Sequence, residues 1–286
     1  MKRKLLISLG LLTTLWSCNN QKTAETTAVA TDTVATEPAH PPKPVYILPS
    51  PLQIAHIFKK SGLKYMAGIT NPQSNETKYT SNFNQTLNLG VYSADMAYNV
   101  LNKQKQGAIS YMKLTKSLAD EIGMSSVFSD ENLMKRFEAN IEREDSIMRI
   151  LAELKGKTDD YISNNERQTT STLIFSAAWI ESMYLASKAT EKKKDGKVKS
   201  QLLEQMSILE NVIKLLQGHN TNNDAALTDW TTQMMSIHDI FNNFAGVKSY
   251  TGDREDMDPM ELNITDEEIN SLVKKIEEIR IKMING

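Results

Sequence analysis

The stretch from Leu173 to Ser187, LIFSAAWIESMYLAS, is apolar on nearly every side when it is wound into a helix. Its apolar residues recur three and four positions apart, and Glu181 is the one charged residue among them. A helix that is apolar all round is buried among other elements. The stretch is too short and too polar to span a bilayer, which takes about 20 apolar residues. We therefore predict that it forms the central helix of a soluble helical bundle.

The rest of the chain has the composition of a helical protein. Of its 286 residues 7% are aromatic, and it contains 12 Gly and 8 Pro, which favours helices over a β-sandwich. Apolar seams recur, for example at Leu87, Val91, Ala94, Tyr98 and Leu101. We predict an all-α fold over residues 45–286, an antiparallel bundle of about seven to eight helices. Helical-hairpin repeats are the alternative architecture, although no second copy aligns.

Start and stop signals predict the helix bounds. Ser50 and Pro51 begin a first helix that ends near Gly62, and Thr265 with Glu268 has the spacing of a capping box. Between them we predict helices over residues 81–103, 106–122, 129–156 and 158–192, and two more with seams that begin at Leu202 and Leu227.

The N-terminus begins with a short charged segment that is followed by an apolar one. The basic residues 2–4 precede the apolar residues 5–15, an order that is typical of a secretory signal. The sequence Leu-Trp-Ser-Cys that ends at Cys18 resembles the lipobox, in which cleavage before the Cys leaves a lipidated N-terminus. Cys18 is the only Cys, so no intramolecular disulfide is possible. We predict a signal peptide over residues 1–17 and lipidation of Cys18; the alternative is an ordinary secretory signal with an incidental Cys.

The segment that follows is a predicted tether. Residues 18–44 are rich in Thr, Ala and Pro and cannot bury a core, so we predict that they are disordered. Within them, the sequence around Thr33 resembles the O-glycosylation motif of Bacteroidota, which makes Thr33 a candidate glycosylation site. By resemblance to bacterial lipoproteins, Asn19 in place of Asp indicates the outer membrane, with the periplasmic or the surface face left open.

Three phrases of the body also carry a resemblance. They are NLGVYSADMAY (88–98), RFEANIEREDSI (136–147) and FSAAWIESMYLA (175–186). They resemble sequences of uncharacterised all-helical lipoproteins from Bacteroidota. The resemblance implies a helical fold and an envelope location, and it implies no activity.

Glu181 is the first candidate for a functional residue because its neighbours on the helix are apolar. A buried carboxylate must be paired, hydrogen-bonded or protonated, since its desolvation is costly. One interpretation is an acid that binds a ligand or handles a proton in the bundle core. The other is a structural acid paired with a cation from a neighbouring helix, for which His238 and Arg143 are candidates.

The second candidate is a polar row on the predicted helix 81–103. Its members are Asn88, Tyr92, Asp95, Asn99 and Asn102. Because the row is polar with little charge, we predict a solvent-exposed face with a solvated Asp95. The alternatives are a site at Asp95 or a surface that contacts a partner.

Charge and motifs argue against several other classes of function. The formal net charge is −2, so there is no basic excess for nucleic acid. No G-x-S-x-G, Walker A or zincin sequence is present, and within the predicted bundle (45–286) no His forms a Glu-x-x-His pair. The acidic residues Asp253, Asp256, Asp258 and Glu261 lack the spacing of an EF-hand. We predict a solvated acidic loop, no metal, no cofactor and no catalytic residue.

These observations favour a non-catalytic protein of the cell envelope. We predict that the lipid holds it at the outer membrane, the tether gives it reach, and one face of the bundle binds an envelope protein. The alternative is a binder of a small apolar ligand in a Met-rich cavity around Glu181. An enzyme is the third possibility, and it would require convergent acids and His in one cleft.

Overall fold

The structure is a computed structural model, and it describes residues 50–60, 62, 64–190, 196–253, 256–258 and 261–286. The described residues form ten α-helices and two short 3-10 helices, with no strand among them. The predicted all-α fold is therefore confirmed. The predicted signal peptide (1–17) and tether (18–44), with Cys18 and Thr33, lie outside the described residues.

The helices in chain order are α1 (Pro51–Lys60), α2 (Asn82–Leu101), α3 (Lys105–Glu121), α4 (Leu133–Asn140), α5 (Glu144–Asn164), α6 (Gln168–Thr190), α7 (Gly196–His219), α8 (Ala225–Asn242), α9 (Ala245–Ser249) and α10 (Asp266–Asn285). The 3-10 helices are Gln73–Lys78 and Ser125–Phe128. Side chains cap several N-termini, as the sequence predicts. Ser50 and Gln53 bond reciprocally at the start of α1, and Thr265 and Glu268 form a capping box at α10.

Two predicted helices are each divided in the structure. The predicted helix 158–192 is wrong because α5 ends at Asn164 and α6 begins at Gln168. Glu166 lies in the left-handed region with φ 53°, and the N–H of Arg167 donates to the carbonyl of Ile162, which is a typical helix C-terminal arrangement. The predicted helix 129–156 is also wrong. The chain turns between α4 and α5, and α5 continues past residue 156, where the predicted helix ends.

The central position predicted for the Leu173–Ser187 stretch is confirmed. It forms most of α6, which packs against α1, α2, α5, α7 and α10. Trp179, Ile180 and Met183 are fully buried. Within the described part of the chain, no helix combines the length and the apolarity that a membrane crossing needs.

The two helices α2 and α6 approach each other unusually closely at Gly90. A Cβ atom on Gly90 would lie 2.1 Å from the carbonyl oxygen of Ile174 and 3.0 Å from the backbone nitrogen of Ala178. Only a residue without a side chain fits there. This close approach places the next turn of α2, with Asp95, beside Glu181 of α6.

Candidate functional site

Glu181 is fully buried, and it is paired with Arg280 from α10. Arg280 Nε donates to Oε2 of Glu181 at 2.7 Å, and Nη2 donates to Oε1 at 2.8 Å. Two parallel bonds between a guanidinium and a carboxylate are the strongest geometry for such a pair. The burial predicted for Glu181 is therefore observed, but the cation is neither His238 nor Arg143.

Other groups fix the Arg280 guanidinium in place. Its Nη2 also donates to the carbonyl oxygen of Ile69 at 3.2 Å. Its Cζ lies 3.9 Å from the centroid of the Tyr184 ring, which is close enough for a cation–π contact. Burial alone lowers the pKa of Arg280, but the charge and hydrogen bonds of Glu181 outweigh burial and raise it. Arg280 is therefore a permanent cation.

Asp95 lies beside this pair, and the prediction that it is solvated is wrong. Its side chain is fully buried. Oδ2 accepts a hydrogen bond from the backbone N–H of Asn71 at 3.1 Å, and Oδ1 is buried without such a donor. Desolvation, followed by the negative charge of Glu181, raises the pKa of Asp95 well above its usual value, although Arg280 acts in the opposite direction.

The whole row predicted as an exposed face of α2 lies in the interior, apart from its last member. Asn88, Tyr92, Asp95 and Asn99 are all buried. Asn88 Nδ2 donates to the carbonyl of Met283 in α10 at 3.0 Å, and Asn99 Nδ2 donates to the carbonyl of Asp95 at 2.8 Å. The row is polar because it bonds to neighbouring backbone, so it is not a surface for a partner.

The connection between α1 and α2 covers this polar interior. We call residues 66–79 the strap; its Asn71, Asn75 and Tyr79 point inward and are buried, and most of its other residues are exposed. Within it, Asn71 Nδ2 donates to the Tyr79 hydroxyl at 2.9 Å, and Asn75 Nδ2 donates to Asn71 Oδ1 at 2.8 Å. These bonds hold the strap in one conformation.

Side chains of α2 and α3 bind the strap largely through its backbone. The Tyr92 hydroxyl donates to the carbonyl of Pro72 at 3.2 Å, and the Tyr111 hydroxyl lies 2.8 Å from the carbonyl oxygen of Asn71. The N–H of Met66 donates to the Tyr98 hydroxyl at 2.7 Å. Burial raises the pKa of Tyr92 and Tyr111, so their phenols remain neutral donors.

A cleft in the surface lies elsewhere, between α7, α8 and the acidic loop. Its volume is about 670 Å³, which is within the usual size range of ligand sites. Its apolar lining residues are Leu203, Met206, Phe241 and Met257, and its polar or charged ones are Glu204, Ser207, Glu210, Asn211, Lys214, His238 and Asp253. A second cleft, of about 150 Å³, lies beside His56. Neither of these clefts is lined by Glu181 or Asp95.

Two backbone hydrogen bonds join described residues of the acidic loop. The N–H of Asp256 donates to the carbonyl of Asp253, and the N–H of Glu261 donates to that of Asp258. Among the described residues, no group of three or more His, Cys, Asp or Glu side chains is arranged to hold a metal ion.

One residue of the buried polar site, Arg280, escaped the sequence reasoning, and the burial of Asp95 was misjudged, although signals for both exist. Arg280 lies between Ile276 and Met283 on the apolar side of α10, and Asp95 lies four residues after Val91 and three before Tyr98 of the α2 seam. A charged residue at a seam position must be buried with a partner.

Comparisons with protein-family models, with curated proteins and with solved structures find no match for this chain.

Proposed function

We propose that this protein is a lipid-anchored, non-catalytic binding domain of the bacterial cell envelope, held at the outer membrane through Cys18. The N-terminal signal and the lipobox-like sequence before Cys18 support the anchor. The Thr-, Ala- and Pro-rich segment that follows supplies a tether between the anchor and the helical domain.

The cleft between α7 and α8 is the observation on which the binding function rests. Four of its lining residues are apolar (Leu203, Met206, Phe241 and Met257), and the other seven are polar or charged. A concave surface that combines apolar contacts with hydrogen-bonding groups is the usual form of a binding site. Because the row on α2 is buried, this cleft replaces it as the place where we expect an envelope protein to bind.

The non-catalytic part of the proposal rests on the state of the two buried acids. Glu181 uses both carboxylate oxygens to bind Arg280, and Asp95 lies under the strap. A general acid or base must reach the proton that it transfers. Neither acid lines a described cleft, so a structural role fits both better than a catalytic one.

The second candidate function, binding of a small apolar ligand, also fits this cleft better than the surroundings of Glu181. The sulfur-containing side chains of Met206 and Met257 line the cleft, and Met side chains adapt to ligands of different shape. By contrast, both carboxylate oxygens of Glu181 are bonded to Arg280, and Glu181 lines neither described cleft.

Blocking the cleft tests the binding function. Ser207 is exposed at the cleft, and its hydroxyl donates to the carbonyl of Glu204 in the preceding turn of its own helix, so Ser207→Trp fills the cleft without a change in the core. Ser271→Trp is the matched control, because Ser271 is also exposed and also bonds the preceding turn of its helix. After crosslinking in the native envelope, we expect Ser207→Trp to lose the partner that the wild-type and control proteins retain.

Mass spectrometry of the same purified proteins distinguishes the two candidates. A crosslinked protein that only Ser207→Trp loses supports the envelope partner, whereas a copurifying small molecule with this behaviour supports the ligand. Equal recovery from both Trp variants contradicts binding in the cleft.

The anchor has a separate test. Cys18→Ala should transfer the protein from the membrane fraction to the soluble fraction, because it removes the residue that carries the lipid. Retention of the Ala variant in the membrane, with the crosslinked partner absent, contradicts lipid anchoring.

A further inference from the structure

The buried site between α2, α6 and α10 contains one more acid than base. We call Asp95, Glu181 and Arg280 the polar cluster; both acids have no exposed surface, and Arg280 is 6% exposed. With both acids ionised, the cluster would carry one uncompensated negative charge away from water. Such a charge is very costly, and a buried group changes its protonation state instead. Charge balance therefore requires one proton in the cluster.

The hydrogen bonds indicate which acid holds this proton. Glu181 accepts bonds from Arg280 on both of its oxygens, and bonds to a carboxylate favour its ionised form. Asp95 accepts one bond, from Asn71, on Oδ2. Its Oδ1 is buried and has no hydrogen-bond partner among the described residues, and the Glu181 side chain is a neighbour of the Asp95 side chain. A proton on Oδ1 gives that atom a partner and removes the repulsion between the two acids.

The other groups around Asp95 do not change the charge balance. They are the carboxylate of Glu181 from α6, the guanidinium of Arg280 from α10, and the phenols of Tyr79, Tyr92, Tyr98 and Tyr111 from the strap, α2 and α3. Burial raises the pKa of each of these phenols, so they remain neutral. Among the described residues that act on the charge of Asp95, Arg280 is thus the one cation set against the two acids.

We infer that Asp95 is a neutral carboxylic acid at neutral pH, that its Oδ1–H donates to Glu181, and that this proton holds the strap closed. The strap is involved because two of its residues bind the cluster directly. The Asn71 N–H donates to Asp95, and the Ile69 carbonyl accepts from Arg280. Opening the strap admits water to Asp95, which then ionises. This inference is independent of the proposed binding function.

The sign of the pH dependence follows from the raised pKa of Asp95. In the closed state, desolvation and Glu181 keep the pKa well above its ordinary value of 3.8, whereas in the open state water restores that ordinary value. The proton therefore stabilises the closed state fully at low pH, and the stabilisation is lost as the pH rises. Between the two pKa values, each pH unit changes the opening equilibrium constant by about tenfold.

Amide hydrogen exchange of the strap measures this opening directly. From about pH 5 to about pH 8, and after correction for intrinsic exchange, we expect the protection of the Asn71 amide to fall by up to about tenfold per pH unit. Asp95→Asn removes the ionisation while its Nδ2–H can still donate to Glu181, so this dependence should disappear. Asp120→Asn is the control, because Asp120 is a surface acid paired with Lys116, and it should keep the wild-type dependence.

Three results overturn the inference. A pH-independent protection factor in the wild-type protein shows that opening releases no proton, and this result needs no variant. Equal pH dependence in the wild-type and Asp95→Asn proteins assigns the proton to another group; Asp95→Ser provides the same test if the Asn variant does not fold. If the strap amides exchange at the same slow rate as the core amides of α6, the strap opens only when the whole domain unfolds.

Discussion

Helix α6 contacts α8 and α10 in two regions that differ in chemistry. Toward α8, the Trp230 Nε1–H donates to Ser176 Oγ at 2.8 Å within an apolar core that also contains Trp179 and Met183. Toward α10, Glu181 meets Arg280 in the polar cluster. In the apolar region, stability depends on filled volume. In the polar cluster, it depends on matched charges and complete hydrogen bonding. A substitution that preserves the shape of a side chain should therefore change the free energy of unfolding little in the apolar region. In the polar cluster, the same kind of substitution should destabilise the protein.

The largest expected effect is that of Arg280→Met, which keeps an unbranched side chain but removes the cation. It leaves two acids and no base in a buried site, and removing one partner of a buried pair costs about 3–5 kcal/mol. Chemical denaturation at pH 7 measures the loss. Lys282→Met, at an exposed position of the same helix, should change the free energy of unfolding by less than about 0.5 kcal/mol. If Arg280→Met loses as little stability as Lys282→Met, the polar cluster does not depend on matched charges and the comparison of the two regions fails.

Glu181→Gln should cost less than Arg280→Met, because Asp95 can ionise and replace the lost negative charge. The remaining loss comes from the bidentate hydrogen bonds, and about 1–3 kcal/mol is expected for imperfectly satisfied buried groups. The same denaturation experiment gives the value. If the loss equals that of Arg280→Met, Asp95 does not take over the charge.

Gly90→Ala tests the close approach of α2 and α6 that brings Asp95 to Glu181. The added Cβ would meet the backbone of Ile174, so the helices must separate, at a cost of about 1–3 kcal/mol. Gly156→Ala is the matched control, since Gly156 also lies inside a helix and has open space around its Cβ position. There the same change should stabilise the protein by about 0.5–1 kcal/mol. If the Ala substitutions at Gly90 and Gly156 change the free energy of unfolding in the same direction, the close contact between α2 and α6 at Gly90 is contradicted.

The smallest expected effect is that of Met183→Leu in the apolar region. Met183 is fully buried, but the change preserves volume and apolarity, so its cost should be less than about 1.5 kcal/mol. A loss comparable to that of Arg280→Met would show that the apolar region is as sensitive to chemical identity as the polar cluster. Thermal unfolding followed by circular dichroism is sufficient to rank these variants.

Much of the helical architecture could be predicted from the sequence because it depends on local signals. Apolar periodicity indicated α6 as the central helix, and the spacing of Thr265 and Glu268 marked the start of α10. The break between α5 and α6 contains neither Gly nor Pro. It depends on tertiary bonds such as that from Arg167 Nη1 to the carbonyl of Ile122, which no local pattern contains.

The polar cluster could be predicted only in part, for a related reason. Glu181 was evident because its helical neighbours are apolar. Asp95 was misassigned because the row from Asn88 to Asn102 is polar along its whole length, and polarity was taken as exposure. The row is buried because α10 and the strap supply it with hydrogen-bonding partners, as at Asn88 and Asp95. Those partners are distant in sequence, so a single helix gives no evidence of them.

The protonation state of Asp95 is the central claim, and the wild-type protein can report it directly. A titration of the aspartate side-chain carboxyl carbons by ¹³C NMR, on protein labelled at that carbon, observes each Asp separately, and Asp95→Asn assigns the signal. We expect one carboxyl group to keep the chemical shift of a protonated acid through neutral pH. The chemical shift of an ionised carboxylate for every Asp at neutral pH would contradict the account, because the polar cluster would then hold a buried negative charge without a partner.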